Sequence, residues 1–168
     1  PPAYGNRNGG AVLAPTAFPM TSLPGGEMEA LIRQTDWTRT PLGPVETWSP
    51  TLRMMVRFLL ANRFPLLLWW GPSYVSIYND AYRQTMGPER HPSALGQRGH
   101  DCWAEIWDII GPQIEFVMAG KGATWHVDQL VPVTRHGRRE DVWWTYGYSP
   151  IDVEGQVGRD ASDADPRR

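Results

Sequence analysis

The sequence is short of cysteine, lysine and long apolar runs, and each shortage excludes a class of protein. Cys102 is the single cysteine, so no internal disulfide can form and no pair of thiolates can hold a metal. The count suits a reducing, cytoplasmic setting. Lys121 is the only lysine, and with a formal net charge of -2 there is no basic excess to draw the chain to nucleic acid or an anionic membrane. Leu66 to Trp70 is far too short to cross a bilayer, so no membrane insertion is expected. Residues 1–25 lack the basic start and apolar stretch of a secretory signal. There is no Walker A loop, no Gly-x-Ser-x-Gly elbow and no His-Glu-x-x-His pair. No nucleophile is set beside a base and its orienting group, so the chain is not expected to be an enzyme.

Tryptophan is what the chain has in plenty, nine in 168 residues. Trp69-Trp70 and Trp143-Trp144 are adjacent pairs, and neighbours in a strand face opposite ways. One ring of each pair points inward, and the other needs a cover.

Residues 1–25, rich in Pro and Gly, read as a flexible leader whose only apolar part is Ala11 to Phe18. Residues 27–34 read as a short helix with Met28, Leu31 and Ile32 on one face. Thr38 to Glu46 is a loop. Ser49-Pro50 opens an amphipathic helix that ends near Asn62, with Leu52, Met55, Val56 and Leu59 as its apolar stripe. That stripe either covers a sheet or meets a partner.

Phe64 to Trp70, Gly71-Pro-Ser73 and Tyr74 to Tyr78 read as strand, turn and strand, apolar on both faces and so covered on both sides. Asn79-Asp80 caps a short helix over Ala81 to Met86. Gly87 to Gly99 is a loop. Cys102 to Gly120 is the longest helical region, with an interruption expected at Gly111-Pro112. Two long strands follow, Thr124 to Arg135 and Glu140 to Asp152, joined by His136 to Arg139. In the second, Val142, Trp144, Tyr146 and Tyr148 share one face, with Asp141, Trp143, Thr145 and Ser149 on the other. Pro132 and Pro150 mark an edge or a bulge.

The order strand, turn, strand, Asn79-Asp-Ala-Tyr82 resembles the opening of a PAS sensory domain. More specifically it looks like the PAS domain near the N-terminus of a group of bacterial sensor histidine kinases. The same resemblance extends to Pro41-Leu-Gly-Pro44, Trp48-Ser-Pro50, Arg63-Phe-Pro65, His91-Pro-Ser-Ala-Leu-Gly96, Cys102-Trp-Ala-Glu-Ile-Trp107, Ile110-Gly-Pro-Gln-Ile114 and Tyr148-Ser-Pro-Ile-Asp152. It covers residues 26–158. The fold it implies is α+β, an antiparallel PAS-like sheet with flanking helices. Residues 1–25 then form a leader and residues 159–168 a polar tail.

One strand departs from that pattern. Val153-Glu-Gly-Gln156 looks like a hairpin turn and Val157 should open a fifth strand, but Arg159 to Arg168 is polar and a poor strand. By the resemblance the fifth strand is central, between the first and the fourth. Without it the sheet splits into two hairpins with unpaired inner edges. Truncation is the favoured explanation. The alternatives are a strand supplied by Ala11 to Phe18 or by a second chain.

The implied function is that of a signal-transduction module, the input part of a sensor histidine kinase, binding a small planar ligand or a protein partner. A homodimer or adjoining signalling domains are the expected partners. Asn79, Tyr82, Trp103, Trp107, Trp125, Trp144 and Tyr146 are the candidate lining of a pocket between sheet and helices. The alternative is a structural dimerisation domain whose rings simply fill its core. No cofactor is expected. Cys102 stands one turn into a helix, as in flavin-binding light sensors of the PAS superfamily, but Asp101 and the residues after it depart from their pattern. His100 is the only histidine near the long helix available as a haem ligand, and a flavin- or haem-binding photo/redox sensor is the third reading. No metal site is expected, since the spacing of His91, His100, Asp101 and Cys102 matches no zinc pattern.

Overall fold

The computed structural model describes residues 26–153 and the backbone of residues 156–157. The leader, the segment Ala11 to Phe18 and the tail lie outside the described residues. The chain is a mixed α+β structure of small antiparallel sheets and several helices.

Helix α1 (Glu27–Gln34) buries Met28 and Ile32, as the apolar spacing requires. Two 3₁₀ turns, Trp37–Arg39 and Val45–Thr47, shape the loop that follows. In that loop Trp37 and Trp48 meet edge to face, 4.9 Å between centroids. Each indole N–H finds a backbone carbonyl, Ile32 O at 2.8 Å for Trp37 and Gly43 O at 3.0 Å for Trp48. Helix α2 (Pro50–Ala61) starts where Ser49 Oγ accepts the Leu52 N–H at 3.1 Å, with Pro50 in the first turn. Its stripe of Leu52, Val56 and Leu59 packs on Leu68, Val75 and Ile77. The stripe therefore covers a sheet inside the molecule, while Met54 and Phe58 stay exposed on the other side.

Strands β1 (Leu67–Trp70) and β2 (Val75–Tyr78) pair antiparallel, Leu67 opposite Tyr78 and Trp70 opposite Val75. Gly71 and Tyr74 take positive φ in the connecting turn, a conformation Gly71 adopts without a Cβ clash. The far edge of β2 is closed by the following loop: Ser76 N–H donates to Gln97 O and Gly96 N–H to Ser76 O, both at 2.9 Å. Alternation divides the hairpin between two cores. Leu68, Val75 and Ile77 face α2, whereas Leu67, Trp69 and Tyr78 face the core shared with Trp103, Ile106, Ile110 and Ile114.

Helix α3 (Asp80–Arg83) is shorter than its sequence span, because Asn79 caps it and the chain turns after one helical turn. The long helical region is broken at a different place from the one expected. It forms α4 (Gly99–Cys102), a 3₁₀ turn (Ala104–Ile106) and α5 (Trp107–Met118). The break is at Trp103, where φ is -116°, and α5 runs on through Gly111 and Pro112. Gly111 is needed for a packing reason: a Cβ there would stand 2.7 Å from Trp107 Nε1, so its absence lets the indole lie along the helix.

The second hairpin holds β3 (His126–Leu130), β4 (Val133–Arg135), β5 (Arg138–Glu140) and β6 (Trp143–Tyr146). β4 pairs with β5 and β3 with β6, and Val131 N–H to Val142 O at 2.9 Å carries the ladder from one pair to the other. The turn is narrower than the sequence suggests. Only His136 and Gly137 form it, both with positive φ, which suits a two-residue hairpin. A bulge at Asp128 (φ 47°) shifts the register between His126 and Gln129, and Pro132 separates β3 from β4.

Finally β7 (Asp152–Val153) and β8 (Gln156–Val157) form a small hairpin where the turn was expected. Among the described residues the two main hairpins are not joined into one sheet.

Candidate functional site

A cavity of about 190 Å³ lies between the first hairpin, helices α3 to α5 and the second hairpin. Leu67 and Trp69 reach it from β1, Tyr82 from α3, Trp103, Ile106 and Ile110 from the helical region, and Trp144, Tyr146 and Tyr148 from the second hairpin. The inward face of β6 and the residues after it thus delivers three rings in a row, by the period of two. A second, wider groove of about 370 Å³ adjoins it, between α2, β1, the C-terminal half of α5 and residues 147–151. Trp69 and Tyr148 line both spaces, and their rings stack at 5.4 Å. We take the smaller cavity as the candidate site because three tyrosines and two arginines line it, whereas the groove is lined by two tyrosines and no arginine.

The polar groups at the cavity differ in how far they are already committed. Trp69 Nε1 donates to Ser76 Oγ at 3.0 Å and Trp144 Nε1 to Val131 O at 3.3 Å. Tyr146 donates its hydroxyl to Gln113 Oε1 at 2.8 Å. The hydroxyls of Tyr82 and Tyr148 have no hydrogen-bond partner among the described residues. Burial drives the pKa of both far above the ordinary phenol value, with Cys102 adding to the rise at Tyr82, and Tyr82 and then Tyr146 adding to it at Tyr148. Both phenols are neutral at pH 7.

The two guanidinium groups are occupied. Arg90, with a side chain only 10% exposed, pairs with Glu105. It also donates to Thr134 O at 2.8 Å and Cys102 O at 3.3 Å, and stands over the Trp103 ring at 4.5 Å. Glu105 in turn accepts the Thr134 N–H at 2.9 Å and its hydroxyl at 2.8 Å. Burial works against the Glu105 carboxylate, but the Thr134 hydrogen bonds and Arg90 outweigh it and hold its pKa below the usual range. Arg135 pairs with Glu140 and donates weakly to Thr85 O at 3.5 Å.

Of the residues expected to line a pocket, Tyr82, Trp103, Trp144 and Tyr146 meet at this cavity. Asn79, Trp107 and Trp125 stand elsewhere. Asn79 is fully buried and ties three segments together: its Nδ2 donates to Leu59 O, Asn62 O and Phe64 O, and its Oδ1 accepts from Leu66 N–H and Tyr82 N–H, all at 2.8 to 3.2 Å. Trp107 packs among Trp69, Tyr74 and His100. Trp125 is 71% exposed on the outer face of the second hairpin.

His100 has a side chain 67% exposed, and Cys102 is a buried free thiol whose pKa burial pushes up to about 11. The two point to different surroundings, and neither lines the cavity. Among the described residues no three His, Cys, Asp or Glu side chains group to hold a metal ion. No helix among them is long and apolar enough to cross a membrane.

Sequence reasoning missed Trp69, Tyr148, Arg90 and Arg135. Strand alternation carried a signal for the first two, since Tyr148 follows Trp144 and Tyr146 on one face. Nothing in the aperiodic loop around Arg90 announced that its side chain turns inward. Comparison with family models, with curated proteins and with solved structures gave no match to this chain.

Proposed function

We propose that the chain is a cytoplasmic sensory module of PAS-like organisation, without catalysis of its own, that binds a small planar ligand in the cavity between its two hairpins. One observation carries this reading: the cavity wall is assembled from both hairpins and the helical region, so a ligand there contacts elements that, among the described residues, do not hydrogen-bond to each other as one sheet. Filling the space favours the arrangement in which all three close on it, which is how binding becomes a change in packing. The resemblance to the input domain of sensor histidine kinases suggests that this change passes to an adjoining signalling domain.

Size argues against two coloured cofactors. About 190 Å³ is below the ~300 Å³ at which pockets for drug-sized ligands begin, and flavin and haem are larger still. A Cys102 thiol with its pKa raised by burial is also a poor nucleophile for a flavin.

The test is native mass spectrometry of the protein as purified, with an absorption spectrum before and after denaturation. A releasable small molecule without a visible band is the expected result. Protein that carries none, and whose hydrogen exchange is unmoved by saturating acetophenone, contradicts the reading.

A second reading, a structural dimerisation domain, is favoured by the outer face of the second hairpin. Trp125, Val127, Leu130 and Trp143 are all exposed there, and Leu130 is paired directly opposite Trp143. Sedimentation equilibrium distinguishes it: a dimer that Trp143→Thr dissociates supports self-association through this face.

A further inference from the structure

An arginine at a ligand cavity ordinarily signals a carboxylate or phosphate. Here both arginines are already answered. Arg90 is held by Glu105 and two backbone carbonyls and capped by the Trp103 ring, and Arg135 is held by Glu140. An incoming anion would have to displace a carboxylate from each, or lie buried against groups whose charge is already cancelled. The groups left open are the hydroxyls of Tyr82 and Tyr148, two residues that line the cavity and whose hydroxyls have no hydrogen-bond partner among the described residues.

We propose that the cavity selects an uncharged ligand of about one aromatic ring carrying a hydrogen-bond acceptor, and rejects the carboxylate of the same shape. This rests on the cavity being a ligand site, as proposed above. The size fits: an apolar cavity of about 150 Å³ takes benzene, and one of about 190 Å³ has room for a ring with a short substituent. The lining includes the indoles of Trp103 and Trp144, and the phenols of Tyr82 and Tyr148 carry hydroxyls that can donate. Their neutrality keeps them as donors throughout the physiological range.

Three probes with the same number of heavy atoms separate the terms: acetophenone, neutral with an acceptor; benzoate, anionic; and cumene, neutral without an acceptor. Each is titrated by calorimetry into the wild-type protein and into the Tyr82→Phe, Tyr148→Phe double variant, which keeps both rings. Acetophenone is expected to bind the wild type about fivefold more tightly than cumene, the worth of one hydrogen bond. Benzoate is expected to bind more than about tenfold more weakly than acetophenone. The double variant should bring acetophenone down to the level of cumene and leave cumene unchanged. Benzoate binding as well as acetophenone overturns the selectivity and leaves the site standing. Acetophenone and cumene binding equally, or a double variant that changes neither, overturns the role of the phenols. Failure of all three probes to bind wild-type protein that carries no copurified molecule overturns the ligand site itself.

Discussion

In the first hairpin every residue of β2 is buried, whereas along β6 and its flanks inward and solvent-facing side chains alternate, with Trp143 at 61% exposure beside a half-buried Trp144. Both hairpins are rich in tryptophan and β-branched residues. The difference is what lies on each side. α2 covers one face of the first hairpin and the helical region the other, so it serves as an internal wall. Among the described residues the second hairpin is covered on one face only, and that face closes the cavity. Substitutions in the first should therefore report on folding. In the second they should report on the cavity or on association, depending on the face.

The largest effect is expected at the end of the first hairpin. Asn79→Asp replaces a donor with a carboxylate oxygen that faces three carbonyls, and should cost on the order of 4 kcal/mol in urea unfolding. A loss below about 1 kcal/mol would show that Asn79 does not hold α2, β1 and α3 together. Next is the clamp that ties the second hairpin to the helices. Glu105→Ala leaves Arg90 buried without its counter-charge and should cost about 3 kcal/mol. The sign with pH follows from its depressed folded pKa. The contribution is present at neutral pH and is lost as pH falls below the ordinary carboxylate value of ~4.3 and through the lower folded value. Wild type and variant should thus converge in stability on acidification, measured as urea midpoints at pH 7 and at about pH 3. A gap that widens in acid would contradict the clamp. The smallest pair sharpens the comparison within one strand. Trp144→Ala should cost about 2 kcal/mol, while Trp143→Ala on the outer face should stay within about 0.5 kcal/mol. Equal losses would mean that the two faces of β6 are not differently covered.

Local chemistry made part of this structure legible in the sequence. Ser49-Pro50 and the stripe after it place α2, because a cap and a first-turn proline act through neighbours in the chain. The alternation from Val142 to Tyr148 places the inward rings, because pleating is a property of the strand itself. Tertiary contacts set what was not legible. The long helical region breaks at Trp103 and not at Gly111-Pro112, since the glycine serves the Trp107 ring. Asn79 reads as a cap, and it is one, but its second amide atom is spent on three carbonyls brought to it by the fold. Arg90 sits in a loop with no period, and only the packing of β4 against the helices turns it inward to Glu105 and Thr134.

Hydrogen exchange across an acetophenone titration tests whether the cavity joins the two hairpins, which share no sheet among the described residues. Amides of β1 and of β6 should slow together as the cavity fills, with one saturation curve. Protection confined to one hairpin, or absent from both at saturation, would contradict it.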